Sequence, residues 1–136
     1  MTDNTNNAED CPCGSGQRYT QCCGPYLAGR QLPATAEALM RSRYSAYVSR
    51  DEDYLLKTWH PTTRPLATDF NFSADLKWLG LKISATCGGG RDDRTGQVEF
   101  VARYKIAGKA NRMWENSRFV REHGRWYYLD GDPMEK

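Results

Sequence analysis

Apolar and polar residues alternate along two stretches in the second half of the chain. Between residues 79 and 87 the apolar positions alternate with Gly, Lys, Ser and Thr, and between residues 98 and 106 they alternate mainly with Glu, Arg and Lys. A period of two is typical of half-buried β-strands. Two further strand-like runs, at about residues 113–121 and 125–130, follow over short polar connections. The pattern therefore predicts a four-stranded antiparallel meander.

A helical spacing precedes the strands. Thr35 is a typical N-cap, Glu37 falls in the first turn, and apolar or long side chains then recur every three or four residues up to Val48. This spacing predicts a helix over residues 36–49. A second helix is predicted from residue 52 to about residue 59. It should start on Asp51 and end before Pro61, because a residue that precedes proline is steered away from the helical region.

Helices followed by an antiparallel meander predict an α+β fold. An antiparallel sheet buries one face, so the two helices should pack on the apolar face of a curved sheet and enclose a pocket. The segments divide the chain into a disordered tail (residues 1–10), a cysteine-rich knuckle (11–26), a linker (27–34), the α+β domain (35–132) and a short tail (133–136).

Composition narrows the classes of function. The 136 residues carry nineteen basic and seventeen acidic side chains, a net charge of +2, without long runs of like charge. That balance does not favour a polyanion-binding protein. Because no stretch has the length and apolar character of a signal peptide or a membrane span, we expect a cytoplasmic protein that does not contact membranes.

Four of the five cysteines lie within thirteen positions, in the string CPCGSGQRYTQCCG. Clustered thiols in a reducing compartment indicate metal binding, whereas a secreted disulfide framework spreads its pairs along the chain. Zinc prefers four tetrahedral soft ligands, and four thiolates leave no open position, so we expect one structural Zn²⁺. Its ligands are Cys11, Cys13, Cys22 and Cys23. The alternative is that these cysteines are redox-active or form disulfides, although bridges between such near neighbours close strained rings.

Residues around the cysteines add two expectations. Gly14, Ser15 and Gly16 allow a sharp turn that points backbone amides at sulfur, and Arg18 is a candidate to offset the negative charge of four thiolates. The fifth cysteine, Cys87, falls on the apolar side of the first predicted strand. We expect its side chain to be a buried hydrophobe.

The cysteine string closely resembles the SEC-C motif, a zinc-binding module found at the C-terminus of the bacterial preprotein translocase motor and in otherwise unrelated proteins. All four metal positions match. In the translocase the motif contacts a chaperone and the ribosome, so the resemblance implies a protein-interaction role as well as zinc.

A second resemblance, to the bacterial YchJ family, rests on the strings LMRSRYSAYVSRDEDYLLKTWHPTTRP, GQVEFVARY and ENSRFVREHGRWYYLDG. It implies a SEC-C module followed by a cystatin-like domain of the nuclear transport factor cone type, with helices across a curved antiparallel sheet. The family pattern has His before the Glu of the third strand, where this chain has Trp114.

Polar groups embedded in aromatic sequence are the candidates for a ligand pocket in the cone domain. They are Tyr44, Trp59, His60, Arg64, Glu115, Arg118, Trp126 and Asp130. His60 is a candidate general base if Asp130 or Glu115 orients it. The preferred alternative is that its imidazole caps the second helix by bonding free carbonyls.

Charged and aromatic residues of the domain each have two interpretations. The sequence predicts a buried ion pair between two of the residues Arg43, Glu115 and Arg118. In an open pocket, Arg43 or Arg118 would instead bind a carboxylate or phosphate. The four tryptophans and their neighbouring tyrosines suggest a stacking platform for single-stranded nucleic acid, or an aromatic core. We favour an aromatic core in a small domain with few apolar residues, because the basic residues of the cysteine module, Arg18 and Arg30, are offset by Glu9 and Asp10.

Together these observations favour a non-enzymatic zinc-binding adaptor, in which the knuckle docks to a protein and the cone domain binds a small ligand or pairs with itself. The runner-up is a small-molecule enzyme built around His60, Arg118 and Asp130, which requires these side chains to meet in a pocket. A third hypothesis, ribosome or RNA binding through the knuckle, requires a basic patch around the metal.

Overall fold

A computed structural model of the chain describes residues 9–69, 72 and 74–134. In chain order, its elements are a 3-10 turn (Tyr19–Gln21), helices α1 (Gly24–Leu27), α2 (Ala36–Ser49) and α3 (Glu52–Lys57), a second 3-10 turn (Ala67–Asp69), and strands β1 (Leu76–Gly88), β2 (Thr95–Ile106), β3 (Lys109–Glu122) and β4 (Arg125–Pro133). None of the helices in these described ranges is long and apolar enough to cross a membrane.

The two predicted helices form at the predicted caps. The side chain of Thr35 accepts a hydrogen bond from the amide of Ala38 at 3.0 Å, and the side chain of Asp51 accepts one from the amide of Tyr54 at 3.1 Å. Each bond satisfies an amide that has no partner within its helix. Helix α2 ends at Ser49. Its C-cap, Arg50, has a φ of 61° in the left-handed region, and the chain then turns directly into α3.

The strands form one antiparallel sheet in the order β1-β2-β3-β4, so the predicted meander is confirmed. Helix α2 contacts β1, β2 and β4 across one face of the sheet. The buried strand residues on that face include Val98 and Phe100 in β2, Phe119 in β3 and Trp126 in β4. The chain therefore has the predicted α+β fold, with helices packed on a four-stranded antiparallel sheet.

Two irregularities in β1 overturn the prediction for Cys87. The register of β1 against β2 shifts once after residue 78 and again after residue 83, so the alternation does not keep one face throughout the strand. Near the end of β1, Thr86 lies opposite buried Val98, and Cys87 lies opposite exposed Gln97. Because a slip of one residue exchanges the two faces, the Cys87 side chain is exposed rather than buried.

The hydrophobic core continues from the sheet into the cysteine loop. Cys11, Cys13 and Cys23 are buried in the same cluster as core residues of α2 and the strands. The segment expected to be a linker is also tied down: Leu27 ends α1 and packs against that cluster, and the Trp126 indole donates to the carbonyl of Ala34 at 3.1 Å. The cysteine loop is therefore part of the domain's core.

Both ends of the described chain are ordered by backbone contacts. Asp10 forms a bridge with Arg18, although the sequence placed it in a tail, and the carbonyl of Glu9 accepts a hydrogen bond from Tyr19 at 3.0 Å. The rest of that predicted tail, residues 1–8, lies outside the described residues. At the other end β4 includes Pro133, while residues 135 and 136 lie outside the described part.

Candidate metal centre and cone cavity

Tight turns of the backbone bring the two cysteine pairs together. The amide of Cys11 donates to the carbonyl of Gln17 at 2.8 Å, which closes a loop around the first pair, and Gly14 and Gly16 adopt φ of 81° and 85° within it. Such left-handed values suit glycine because it has no Cβ. The first 3-10 turn then leads into the second pair. The amide of Cys22 donates to the carbonyl of Tyr19, the first residue of that turn, at 3.1 Å.

The four thiols of Cys11, Cys13, Cys22 and Cys23 converge on one point. Their sulfur atoms all lie within 4.8 Å of one another, and Cys22 Sγ lies 3.6 Å from Cys13 Sγ and 4.0 Å from Cys23 Sγ. Three of the side chains are buried and that of Cys22 is half-buried. All four carry free thiols. This cluster can hold a metal ion.

The environment of the four thiols favours one thiolate, that of Cys13. Side-chain hydrogen bonds from Cys11 and then Cys23 hold the pKa of Cys13 far below its usual range. Burial raises the pKa of Cys22 to about 11, and hydrogen bonding to Cys11 and Cys13, followed by burial, raises the pKa of Cys23 well above its usual range. A cation that takes all four sulfurs as ligands must therefore displace the protons of Cys22 and Cys23.

Helix α2 supplies polar contacts to this cluster. The guanidinium of Arg41 donates from Nη1 to the carbonyl of Cys13 at 2.8 Å and lies 3.9 Å from its sulfur, while Nε pairs with Glu37 at 3.0 Å. Ser45 Oγ lies 3.5 Å from Cys11 Sγ inside the core. Within the described part of the chain, the cation that contacts a thiol is therefore Arg41, and no hydrogen bond joins a thiol to Arg18, which the sequence suggested.

Sequence reasoning missed Arg41 and Ser45 because both lie about thirty residues from the cysteines they contact. The only local indication was the spacing of four residues between Glu37 and Arg41, which is typical of an ion pair on a helix surface. Contacts within the loop were easier to anticipate. Ser15 Oγ lies 3.1 Å from Cys22 Sγ, in the turn that the sequence singled out.

Strand β1 closes the other side of the loop. A Cβ on Gly14 would lie 2.8 Å from the carbonyl oxygen of Leu81, closer than real Cβ atoms approach. By contrast, a Cβ on Gly16 would meet nothing within 4 Å. Gly14 is therefore required for the close approach of the loop to β1, and the candidate metal centre is held between α2 and the sheet.

A surface groove opens beside the half-buried thiol of Cys22. We call it the knuckle groove; it has a volume of about 460 Å³ and is lined by the cysteine loop, α1 and the start of α2. Its walls include the side chains of Gln17, Gln21 and Gln31. The charged residues that line it are Arg41 and Glu37, which pair with each other. The groove is thus polar but not basic, unlike the patch that RNA binding through the knuckle requires.

The domain also has a partly open cavity between α2 and the inner face of the sheet. This cone cavity has a volume of about 280 Å³ and its lining includes Arg43, Tyr44, Tyr47, Trp78, Glu115 and Tyr128. Of the eight residues that the sequence proposed for a pocket, Tyr44 and Glu115 therefore line it. The other six lie elsewhere.

Three of those six have structural contacts of their own. The ring of Trp59 packs edge-on against Tyr128, with 5.1 Å between ring centroids. Arg64 Nε donates to the carbonyl of Trp59 at 3.1 Å on the surface, and Trp126 is buried in the core.

His60 lies outside the cone cavity, and neither carboxylate expected to orient it, Asp130 or Glu115, pairs with it among the described residues. Its Nδ1 lies 2.7 Å from Thr62 Oγ1, and its Nε2 lies 3.0 Å from a carboxylate oxygen of Glu122. The alternative that His60 caps the second helix is also wrong. Thr58 takes that role, since its hydroxyl donates to the carbonyl of Tyr54 at 2.7 Å.

Arg118 and Asp130 lie on the outer face of the sheet. Arg118 Nε donates to Asp130 at 2.6 Å and its Nη1 donates to Asp132 at 2.7 Å, with all three side chains partly or largely exposed. These bonds hold the pKa of Asp132 below its usual value. Among the described residues no hydrogen bond or ion pair joins His60 to Arg118 or Asp130, so the site required by the enzyme hypothesis does not form.

The predicted buried ion pair is also wrong. Arg43 is buried, but its Nη1 donates to the carbonyl of Leu55 at 2.8 Å and to Thr58 Oγ1 at 2.7 Å. No ion pair in the described part of the chain involves Arg43. Glu115 instead accepts a hydrogen bond from Ser117 at 3.0 Å, and Arg118 projects from the opposite face of the same strand.

Several aromatic rings pack on one another inside the domain. Trp78 lies 5.7–5.8 Å from the ring centroids of Tyr44, Tyr47 and Tyr104. These distances are typical of ring pairs in a protein core.

Family models match both parts of the chain. The SEC-C motif matches residues 9–25, and the YchJ middle NTF2-like domain matches residues 35–131. A UPF0225 protein of Chromobacterium violaceum is 56% identical over 123 residues, which cover 89% of this chain and 90% of that protein. A UPF0225 protein of Bordetella pertussis is 53% identical over 135 residues, with 97% and 98% covered.

Two solved structures have the same fold. The solution structure of a SEC-C motif containing protein from Rhodopseudomonas palustris gives a TM-score of 0.80 at 36% identity, covering 93% of this chain and all of that one. The crystal structure of a SEC-C motif containing protein from Psychrobacter arcticus gives a TM-score of 0.75 at 28% identity, covering 98% of this chain and 87% of that one.

Proposed function

This chain belongs to the UPF0225 family and joins a SEC-C motif to a YchJ middle NTF2-like domain, and on that premise we propose that it is a zinc-binding adaptor of the cytoplasm. In this proposal, one Zn²⁺ holds the cysteine loop in shape, the knuckle groove binds a segment of a partner protein, and the cone cavity binds a small ligand. The convergence of four thiols beside a surface groove is the observation that carries it.

The chemistry of the donors supports zinc as the metal. Four thiolates are a common ligand set for structural zinc, and Zn–S bonds of about 2.3 Å in a tetrahedron place neighbouring sulfurs about 3.8 Å apart. The separations of 3.6 and 4.0 Å around Cys22 lie close to that value. When bound, the ion would supply cross-linking of the loop and no chemistry on a substrate, because Cys11, Cys13, Cys22 and Cys23 fill all four positions.

A protein partner fits the knuckle groove better than a nucleic acid does. Side-chain amides of Gln17, Gln21 and Gln31 both donate and accept hydrogen bonds, as an extended peptide backbone requires. The charges of Arg41 and Glu37 neutralise each other. RNA binding gains most of its affinity from cations that neutralise phosphates. We therefore propose a polar, extended protein segment as the occupant of this groove.

Site-specific photocrosslinking tests the docking site. A benzophenone amino acid is introduced at Gln21, which is exposed in the groove, and at Lys82, which is exposed on β1, as the matched control. The proposal predicts a protein that crosslinks from Gln21 and not from Lys82. When purified, that protein should bind the zinc-loaded wild-type chain and lose binding after the metal is removed.

Two results would contradict the adaptor proposal. One is equal crosslinking from both positions, which would show that contact is not confined to the groove. The other is recovery of RNA rather than protein at Gln21, with binding that falls steeply as salt rises; that result would support the third hypothesis instead.

A further inference from the structure

The cone cavity combines aromatic walls with two opposite charges that do not pair. Tyr44, Tyr47, Trp78 and Tyr128 supply rings to its lining, and Arg43 and Glu115 supply the charges. An apolar cavity of about 150 Å³ accommodates benzene. At about 280 Å³, the cone cavity has room for one ring with polar substituents at both ends.

Arg43 forms the cationic end of the cavity. It is 3% exposed, and its guanidinium carbon lies 5.0 and 4.6 Å from the ring centroids of Trp59 and Tyr128. Its Nη1 donates to Leu55 and Thr58, which do not line the cavity, whereas Arg43 itself does. A buried arginine stays charged in proteins, and a buried charge without a counter-charge is costly. An anion in the cavity would supply that counter-charge.

Glu115 forms the anionic end. Its carboxylate accepts a hydrogen bond from Ser117 at 3.0 Å and lies against Gly131, where the missing side chain leaves room for it. No ion pair links it to Arg43 within the described residues. The two charges therefore present separate contacts, an anion-binding contact at one place and a contact for a hydrogen-bond donor at another.

A second depression adjoins the cavity, and two basic side chains are among its described lining residues. It has a volume of about 560 Å³ and shares Tyr47 and Trp78 with the cavity. Arg50 and Lys77 line it, and none of the described lining residues is acidic. Cationic side chains at such an approach raise the local concentration of anions.

We infer that the cone cavity binds a small planar carboxylic acid, with its carboxylate on Arg43, its ring among the aromatic walls and a hydrogen-bond donor at its far end facing Glu115. This inference rests on the ligand-binding half of the proposed function and is independent of the metal centre. 4-Hydroxybenzoate has this chemistry and serves as the probe. Benzoate lacks the donor, and 4-hydroxybenzamide lacks the charge.

Titration of the zinc-loaded full chain with each probe, followed by tryptophan fluorescence, tests the inference. A hydrogen bond to a charged group contributes enough for the acid to bind about tenfold or more tightly than the amide. Nuclear Overhauser contacts between the probe ring and Trp78 should place the acid in the cavity. Equal binding of acid and amide would overturn the acid class while leaving a ligand site in place, and binding of neither at millimolar concentration would overturn the ligand-binding half altogether.

Variants at the two ends assign the contacts. Glu115→Gln should tighten the binding of benzoate, because it removes a negative charge that repels the carboxylate. It should also narrow the difference in affinity between benzoate and 4-hydroxybenzoate, because an amide is a weaker acceptor for the hydroxyl than a carboxylate is. An unchanged ratio of the two affinities would contradict the orientation. Arg43→Met, if it folds by circular dichroism, should abolish the preference for acid over amide. If Arg43→Met does not fold, the inference is still tested by the comparison of acid with amide on the wild-type chain and by the titrations of Glu115→Gln.

Discussion

Replacing Arg41 by Met tests whether α2 supports the metal centre. Methionine keeps an unbranched apolar stem and removes the guanidinium that donates to the Cys13 carbonyl at 2.8 Å and lies 3.9 Å from the Cys13 sulfur. Cys13 is fully buried, so water cannot readily replace the lost donor. We therefore expect zinc affinity to fall while the fold is retained.

The size of the loss follows from the bond that is removed. An unsatisfied buried acceptor costs about 1–3 kcal/mol, and hydrogen bonds to charged groups contribute about 1.5–3 kcal/mol. At about 1.4 kcal/mol per factor of ten, the loss corresponds to a decrease of roughly 10- to 100-fold in affinity, which is the range found for residues that hold metal ligands in place. Competition with a chromophoric zinc chelator measures this change directly.

Glu37→Gln is the matched control. It removes the other partner of Arg41, but that ion pair spans one turn of a helix with side chains 22% and 43% exposed, and such pairs contribute a few tenths of a kcal/mol. Its zinc affinity should stay within about twofold of wild type. The reasoning is refuted if Arg41→Met binds zinc as tightly as Glu37→Gln does, or if both variants lose affinity equally.

Two further substitutions probe how the cysteine loop joins the domain. Gly14→Ala should lower the melting temperature and zinc affinity more than Gly16→Ala, because both positions have φ near 80° but only Gly14 meets the Leu81 carbonyl. Equal losses of melting temperature and zinc affinity in the two variants would show that the left-handed backbone, and not the contact with the Leu81 carbonyl, causes the effect. The double variant Cys22→Ser and Cys23→Ser should lower the cooperative melting temperature of the whole domain, because the cysteine loop shares its core. An unchanged transition, followed by circular dichroism, would show that the knuckle folds separately.

Elements with local determinants were predictable from the sequence. The caps at Thr35 and Asp51 and the helical spacing between them define α2 and the start of α3 within a residue or so of the structure. Strand alternation and short polar connections likewise predicted the order of the meander. The four cysteines were also identified locally, because all lie within one short loop.

Features that depend on distant contacts were not predictable in the same way. The exposure of Cys87 results from two register shifts that the alternation of β1 does not reveal. Arg43 looked like half of an ion pair, yet its partners are a helix carbonyl and a hydroxyl from the following turn. His60 follows a parallel bridge between Trp59 and Tyr128, and its amide donates to the carbonyl of Tyr128, contacts that have no counterpart in the sequence pattern.

The integration of the metal loop was missed for a related reason. Treated as a separate knuckle, the loop would need the metal as its whole core. In the structure, Gly14 approaches β1 and Arg41 and Ser45 reach the cysteines from α2. The zinc proposed here would therefore stabilise the domain as well as the loop.

Elemental analysis combined with thiol titration tests the central claim, that four cysteines hold one structural zinc. The protein is purified under reducing conditions without chelator, and thiols are counted before and after the metal is removed. We predict one zinc per chain, one reactive thiol at exposed Cys87 in the loaded protein, and the remaining four after release. A metal-free protein with two disulfides among these four cysteines would contradict the claim.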